Sequence, residues 1–288
     1  MTDQTREEIS DFLKSRRLAV APTAAELGLD ARPRRVSGLR REEVARRATI
    51  SLDYYIQLER GRVRGVSDSV LASLMDALEL DDVERRYLTD LIAQLTHRPV
   101  SAATPVAVSP ELRQTLSHIE PVAATVRDHR MTMLHANRVG SALFRHVLEL
   151  EDRNIARHVF LDPRSRALYP DHDEIADHAA GTLRVSLAAH PGDAELASLV
   201  DDLMASQDFR DRWHTHRVLR TGPGLQIFQD EHVGRLVLHR EQFEVLDGSR
   251  LVVNLFRPAD DGDWDRFKAL AGLAPETEQE EGGWQPPV

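Results

Sequence analysis

Ten arginines and four acidic residues lie between residues 32 and 64, which gives this stretch a local excess of six positive charges. Guanidinium groups bind phosphates through paired N–H donors, so the pattern is typical of a surface that binds a polyanion. The alternative is an arginine-rich helical face that is simply solvated. The whole chain of 288 residues has a formal net charge of −10. That charge lies in residues 99–288, because residues 1–98 hold 17 basic and 17 acidic residues.

Two groups among the 13 histidines have residue types suited to acid–base or metal chemistry, namely His172-Asp173-Glu174 and His214-Thr215-His216. Neither has the two histidines four residues apart, with a glutamate, that bind zinc on a helix. The sequence has no cysteine and no G-x-S-x-G, phosphate-loop or G-x-G-x-x-G motif. We therefore expect no catalytic residue, no metal and no cofactor, and a protein that is not an enzyme.

The small and apolar residues between positions 45 and 58 have the spacing of a helix-turn-helix. Ala45 is the small residue at which two helices touch, and Thr49 lies at the turn. The apolar anchors of the second helix are Ile50, Tyr55 and Leu58. This spacing predicts that the remaining face of the second helix points outward, toward a DNA major groove.

The same stretch resembles the Xre-type helix-turn-helix of phage-repressor-like regulators, and Leu58-Glu59-Arg60-Gly61 matches its typical end. Two departures are visible. The turn usually carries glycine, which adopts positive φ without penalty, and here it carries Thr49. Arg46 and Arg47 stand where one actinobacterial branch usually has apolar residues.

The resemblance places Arg41 at the start of the first motif helix, where it can reach a phosphate or a base edge. Gln57 can pair bidentately with adenine. Glu59 is expected to anchor local backbone or an arginine, because phosphate repels a carboxylate. The predicted DNA-binding residues are Arg40, Arg41, Ser51, Leu52, Asp53, Tyr54, Gln57, Arg60, Arg62 and Arg64.

The elements around these motifs predict a multi-domain protein. Residues 1–96 are expected to form an all-α DNA-binding bundle of five helices, followed by a proline-containing linker over residues 97–110. Residues 111–273 are expected to form an α+β domain, with a hairpin over 122–134 and strands at 218–221 and within 225–256. Helices are expected near 137–147, 153–159, 172–189, 193–205 and 207–214. A final helix is predicted near 263–271 and a flexible tail over 274–288.

The second domain resembles the ligand-binding domain of MmyB-like regulators, which has a PAS-like fold. The matching stretches include His135-Ala136-Asn137, Pro191-Gly192-Asp193 and residues 160–166 and 209–213. The resemblance implies an antiparallel sheet covered by helices, with a pocket for a small apolar molecule such as a fatty-acyl chain. It also implies that the chain is a ligand-controlled transcription regulator.

The predicted ligand-binding residues are Met133, His135, Asn137, Arg184, Leu187, Trp213, His216, Leu238 and Phe243. Arg184 is the natural partner for a ligand carboxylate. Alternatives remain open for three of them. Asn137 has the residue type of a helix cap, Arg184 of a partner for a surface acid, and His216 of a satisfied core histidine.

We expect a homodimeric repressor that binds a palindromic operator, with half-sites about 34 Å apart. The N-terminus has no apolar signal segment and no stretch has the ~20 apolar residues of a membrane helix, so a cytoplasmic location without membrane contact is expected. The alternative function is a constitutive DNA-binding regulator whose second domain only dimerises. A third hypothesis is an enzyme fused to a DNA-binding domain.

Overall fold

A computed structural model describes residues 2–23, 37–62, 65–95, 107–216, 218, 224–247 and 249–272. The chain forms two compact units. The first consists of Met1–Thr104 and Asp173–Thr221, and the second of Pro105–His172 and Gly222–Val288. The helix-turn-helix region therefore shares its unit with a segment from the second half of the sequence.

The elements are numbered in chain order. The helices are α1 (Thr2–Ala19), α2 (Arg41–Arg47), α3 (Leu52–Glu59), α4 (Asp68–Ala77), α5 (Asp82–Leu95), α6 (Pro110–His118), α7 (Arg138–Leu143), α8 (Arg145–Leu148), α9 (Ile155–Leu161), α10 (Arg164–Leu168), α11 (His172–Ala189), α12 (Ala194–Leu203), α13 (Gln207–Trp213) and α14 (Asp261–Gly272). The strands are β1 (Ala123–Arg127), β2 (Met133–Ala136), β3 (Gly224–Asp230), β4 (Gly234–Glu244) and β5 (Val252–Pro258).

The first unit begins with the predicted all-α bundle, because the described part of residues 1–96 contains helices α1 to α5 and no strand. Side-chain caps set where these helices begin. The Ser51 hydroxyl accepts a hydrogen bond from the Tyr54 amide at the start of α3, and Ser67 accepts from Val70 at the start of α4. Asp81 caps α5 in the same way, through the Val83 and Glu84 amides.

The core of the bundle contains the anchors that the spacing predicted. Tyr55 and Leu58 are buried, whereas Ile50 is partly buried and packs against this core. Ala45 is buried where α2 meets α3. The Phe12 and Tyr87 rings meet edge to face with centroids 5.0 Å apart, and this contact joins α1 to α5.

Helices α11 to α13 also belong to the first unit. Asp193 caps α12 and Ser206 caps α13, each by accepting a hydrogen bond from a backbone amide three residues on. Ala188 of α11 and Val218 are buried in the same apolar core as α1 to α5, and Val185 packs against it. This core is therefore built from two separate parts of the sequence.

The second unit contains a five-stranded antiparallel sheet with the order β2-β1-β5-β4-β3. Strands β1 and β2 form the predicted hairpin, with a register shift between Val126 and Arg127. Helix α7 packs on β1, and α14 packs on β4 and β5. Rings of Phe144, Phe228 and Phe256 meet in the core, with centroids 5.2 to 5.9 Å apart. The predicted α+β layout, an antiparallel sheet covered by helices, is confirmed.

Several elements differ from the sequence predictions. The helix predicted over 137–147 divides into α7 and α8 at Phe144, where the backbone leaves helical geometry at φ −108° and ψ 26°. Helices α6 and α10 were not predicted. Val218 is not in a strand, and the rest of the predicted 218–221 strand lies outside the described residues, as do most of the predicted linker and the whole predicted tail. The domain boundaries stay predictions.

Candidate DNA interface and ligand region

A buried carboxylate ties the two motif helices to α1. Glu59 is 1% exposed; it accepts a hydrogen bond from Arg17 Nε at 2.7 Å and one from Arg41 Nε at 2.5 Å. Arg17 also donates to the Leu39 carbonyl at 2.9 Å. Burial and the nearby Glu59 raise the pKa of Tyr55, whose hydroxyl lies 3.4 Å from the same carboxylate. The prediction that Glu59 anchors an arginine is confirmed.

The turn between α2 and α3 has the geometry that usually selects glycine. Thr49 has a φ of +55°, in the left-handed region, and the Ile50 amide donates to the Ala45 carbonyl at 2.9 Å. At the other end of α3, Gly61 has a φ of +62° and lies against the backbone of Arg6, where a Cβ would come within 2.7 Å. Only glycine fits that second turn without displacing α1.

Helix α3 presents the predicted DNA-reading residues on its outer face. Leu52 is 41% exposed, and Asp53 and Gln57 are exposed beside it. Tyr54 is half-buried against the core of the bundle. This face can enter a major groove with a side-chain amide and a carboxylate directed toward base edges.

The basic residues flanking this face occupy different positions. Arg60 and Arg62 are exposed after the end of α3, and Arg41 is also exposed although one of its nitrogens is held by Glu59. Arg40 is half-buried at the N-cap of α2, where its backbone amide donates to Glu43 at 2.7 Å. Ser51 uses its hydroxyl to cap α3, and Arg64 lies outside the described residues.

An open groove beside the end of α3 adds basic residues that the sequence argument missed. Its lining residues are Arg6, Glu7, Ser10, Asp11, Lys14, Arg60 and Arg62. Arg6 and Lys14 belong to α1, so no spacing within residues 32–64 indicates that they lie beside Arg60 and Arg62. The sequence signal that was available is the helical periodicity, which places Arg6 and Lys14 on the same side of α1.

The nine predicted ligand residues divide between the two units. Arg184, Leu187, Trp213 and His216 lie in the first unit, and Met133, His135, Asn137, Leu238 and Phe243 lie in the second. The two groups therefore make separate contacts, each within its own unit.

In the first unit, Arg184 is buried and already bound to a carboxylate of the protein. It donates to Glu8 of α1 and to the Trp213 carbonyl, and its Nη1 lies 3.1 Å from His216 Nδ1. Its guanidinium carbon lies 4.1 Å from the centroid of the Trp213 ring. Arg184 thus pairs with an acid, as the alternative allowed, although the pair is buried and joins distant parts of the chain. Leu187 is half-buried on the same helix.

In the second unit, Asn137 serves as a helix cap. Its side-chain oxygen accepts from the Gly140 and Ala124 amides at 2.8 and 3.0 Å. Its nitrogen donates to the Leu116 and Val122 carbonyls at 3.1 and 2.8 Å. These four backbone bonds use the donors and acceptor sites of the amide, so the structure assigns Asn137 the capping role that the sequence left open.

The other predicted residues of the second unit differ in burial. Met133 and Leu238 are buried on the sheet, whereas Phe243 is 50% exposed. His135 is half-buried, and its Nε2 has no hydrogen-bond partner in the described part of the chain. Burial, together with the charge of Arg113, lowers the pKa of His135 and so favours its neutral imidazole.

A second histidine of this unit, which the sequence argument missed, has a similar environment. His158 is fully buried, with Nδ1 3.3 Å from Asp162 Oδ2 and with Nε2 unpartnered among the described residues. Burial lowers its pKa despite the Asp162 carboxylate. The ring of buried Tyr169 meets it edge to face at 6.0 Å. His158 lies on α9 without a metal or catalytic motif around it, so the sequence offered no signal.

A family model described as the MmyB-like transcription regulator ligand binding domain matches residues 108–270, more than half of the chain. The chain belongs to this family. A second model, described as a helix-turn-helix domain, matches residues 8–88 of the MmyB-like protein. A search of curated proteins gives no significant match. The MmyB-like chain is thus a DNA-binding transcription regulator with a ligand-binding domain, as the sequence predicted.

The described residues of the MmyB-like regulator show no helix that is long and apolar enough to cross a membrane. They also contain no group of three or more histidines and acids placed to hold a metal ion. Both matched families are regulator domains rather than enzymes. The absence of catalytic activity stays a prediction.

Proposed function

We propose that the protein is a repressor that binds a palindromic DNA operator as a homodimer in the cytoplasm. The observation that carries this proposal is the outer face of α3, which exposes Asp53 and Gln57 while the opposite face is fixed by buried Tyr55, Leu58 and Glu59. A rigid helix with an exposed amide and carboxylate, flanked by Arg60 and Arg62, combines base reading with phosphate binding. Two-fold symmetry of the protein would match a palindromic site.

We propose further that the ligand is a small apolar molecule, such as a fatty acid, held by the sheet of the second unit. Met133 and Leu238 supply buried apolar surface on the sheet, and His135 supplies a neutral imidazole for a polar head group. The unpartnered ring nitrogen of half-buried His135 supports a polar contact here, because buried polar atoms normally have hydrogen-bond partners.

The DNA assignment is tested with duplexes selected from a random pool by the wild-type protein. Gln57→Ala should weaken binding about tenfold or more and relax the preference for one base, as expected for a lost bidentate base contact. Arg62→Ala should weaken binding to all sequences and reduce the slope against salt by about one. Gln114→Ala, on the exposed side of α6, is the matched control. If Gln57→Ala and Gln114→Ala have the same affinity and selectivity, α3 does not read the operator.

The ligand assignment is tested by mass spectrometry of an organic extract from the purified protein, with buffer and denatured controls. A stoichiometric apolar molecule supports the sensor proposal and supplies a compound for DNA titrations. If no molecule is extracted, and a fatty acid series from octanoate to palmitate also leaves DNA affinity unchanged, the protein is instead a constitutive regulator whose second domain dimerises.

A further inference from the structure

Part of the ligand-binding family region lies in the same compact unit as the DNA-binding helices. Residues 173–221 fall within the MmyB-like match at 108–270, yet they group with residues 1–104. Ala188 is buried in the shared core, and the Gln94 side chain of α5 donates to the Ala188 carbonyl at 2.8 Å. Thr5 of α1 in turn donates to Gln94 at 3.0 Å. The helices α11 to α13 are thus attached to α1 and α5 of the bundle.

The polar centre of this attachment is the carboxylate of Glu8. A single oxygen, Oε1, accepts from Tyr87 Oη of α5 at 2.5 Å and from Arg184 Nη1 of α11, and it lies 3.6 Å from His216 Nδ1. His216 Nε2 lies 3.5 Å from Asp11, one turn further along α1. We call Glu8, Tyr87, Arg184 and His216 the Glu8 cluster.

Arg184 is too buried for water to replace the Glu8 carboxylate as its partner. It is 3% exposed, and its other terminal nitrogen is bound to the Trp213 carbonyl at the end of α13. A buried guanidinium without its carboxylate is strongly unfavourable, so any movement of α11 must either carry α1 with it or break this pair. The cluster therefore makes the position of α1 depend on the position of α11.

We propose that the Glu8 cluster is the contact through which helices α11 to α13 of the ligand-binding region control the DNA-binding bundle. This inference rests on the proposed function. Helix α1 also lies against Gly61 and borders the groove with Arg60 and Arg62, so a displacement of α1 alters the basic end of the DNA-reading helix. A ligand that favours one position of α11 then changes DNA affinity by its preference for that position.

The test compares Glu8→Gln and Arg184→Gln, singly and together, with the matched control Asp177→Asn in the full chain. Asp177 pairs with Arg212, which joins α11 to α13 within the attached segment. Operator affinity at fixed salt should change at least fivefold, in the same direction, in both single variants. The double variant should change no further, because both substitutions break one contact. Asp177→Asn should stay within twofold of wild type.

If Glu8→Gln and Arg184→Gln match Asp177→Asn in operator affinity, the coupling proposal is overturned. Where a glutamine variant fails to fold, Arg184→Lys keeps the charge while removing the paired donors, and it should still shift affinity. Hydrogen exchange separates this proposal from the DNA assignment. Suppose that neither the wild type nor any variant binds DNA. Amide exchange in α1 and α11 that is faster in Glu8→Gln than in Asp177→Asn still supports the attachment. Equal exchange in the two variants refutes it.

Discussion

Glu59 and Glu8 are two carboxylates of the first unit that have nearly the same kinds of partner. The partners of Glu8 lie much further away in the sequence than those of Glu59. Each accepts hydrogen bonds from arginine and lies beside a buried tyrosine hydroxyl. Glu59 joins Arg17 and Arg41, so its contacts close within the DNA-binding bundle. Glu8 joins α1 to Arg184, which lies 176 positions further along the chain.

This difference separates two tasks. The Glu59 contacts hold α3 in one orientation relative to α1 and α2, which a DNA-reading helix requires. At the Glu8 contact the arginine is the buried partner, because the side chain of Arg184 is 3% exposed and that of Glu8 is 25% exposed. At the Glu59 contacts the carboxylate is the buried partner, with 1% exposure. Because separating the buried Arg184 from Glu8 is unfavourable, a movement of one segment is passed to the other, and this suits a contact that transmits a change of state.

The largest expected effect is from removing the charge of Glu59. Glu59→Gln leaves the buried side chain of Arg17 without its carboxylate and should lower the free energy of unfolding by about 3–5 kcal/mol in urea titrations. Glu79→Gln is the matched control, since Glu79 is 63% exposed in its pair with Arg47 and should change stability by less than about 0.5 kcal/mol. Equal losses of unfolding free energy for the two variants would show that burial of the carboxylate does not determine the effect.

The stabilisation that the Glu8 cluster provides should depend on pH in the acid range. Burial raises the pKa of Glu8, but His216, Arg184 and the Tyr87 hydroxyl together outweigh it and lower this pKa from 4.5 to about 2. Since the folded-state pKa is lowered, the contribution is fully present above pH 4.5 and is lost as the pH falls toward 2. The stability gap between wild type and Glu8→Gln should be on the order of 2–3 kcal/mol at pH 6 and close between pH 4.5 and 2. A gap that does not vary with pH contradicts this prediction.

Substitution of the tyrosines should give the opposite order of effects: the larger loss of stability is expected for the tyrosine beside Glu8. Tyr87 Oη lies 2.5 Å from Glu8, whereas Tyr55 Oη lies 3.4 Å from Glu59. Tyr87→Phe should therefore cost about 1.5 kcal/mol of unfolding free energy, and Tyr55→Phe less than about 0.5 kcal/mol. Thermal unfolding of the two variants side by side measures this difference. The reverse order would mean that the Glu59 carboxylate, rather than Glu8, depends on its tyrosine.

The smallest effect concerns the turn that precedes α3. Thr49 has a φ of +55°, so Thr49→Gly should relieve strain and raise the unfolding free energy by about 0.5 kcal/mol. Thr89→Gly is the matched control, because Thr89 is exposed within α5 and glycine there should destabilise by about 0.3 kcal/mol. Loss of stability in both variants would show that Thr49 makes a favourable contact that outweighs its backbone strain.

The local features of the fold could be predicted from the sequence. The helix-turn-helix spacing, the caps at Ser51 and Ser67 and the β1–β2 hairpin depend on residues that lie within a few positions of one another. Electrostatics predicted that Glu59 anchors local backbone or an arginine, because phosphate repels a carboxylate, and the structure shows two arginines. Helix α6 also had a readable signal, since Ser109 caps it and Pro110 occupies its first turn.

The long-range contacts could not be predicted in this way. Arg184 has the residue type of a carboxylate ligand contact, and no periodicity indicates that Glu8 supplies the carboxylate. Asn137 has two compatible roles, and only the positions of four backbone groups decide between them. Such contacts depend on how distant segments pack, which composition and spacing do not determine.

The division of α3 into an exposed face and a buried face has a consequence for how this regulator can diverge. Leu52, Asp53 and Gln57 are exposed, so their substitution should have little effect on folding. Under the proposed function, the same substitutions change the DNA sequence that is recognised. The buried Glu59 contacts keep the helix in place throughout such changes. The proposed function therefore predicts that copies of this gene acquire new target sites through a few mutations in this face, and it makes the face a starting point for engineering regulators with chosen operators.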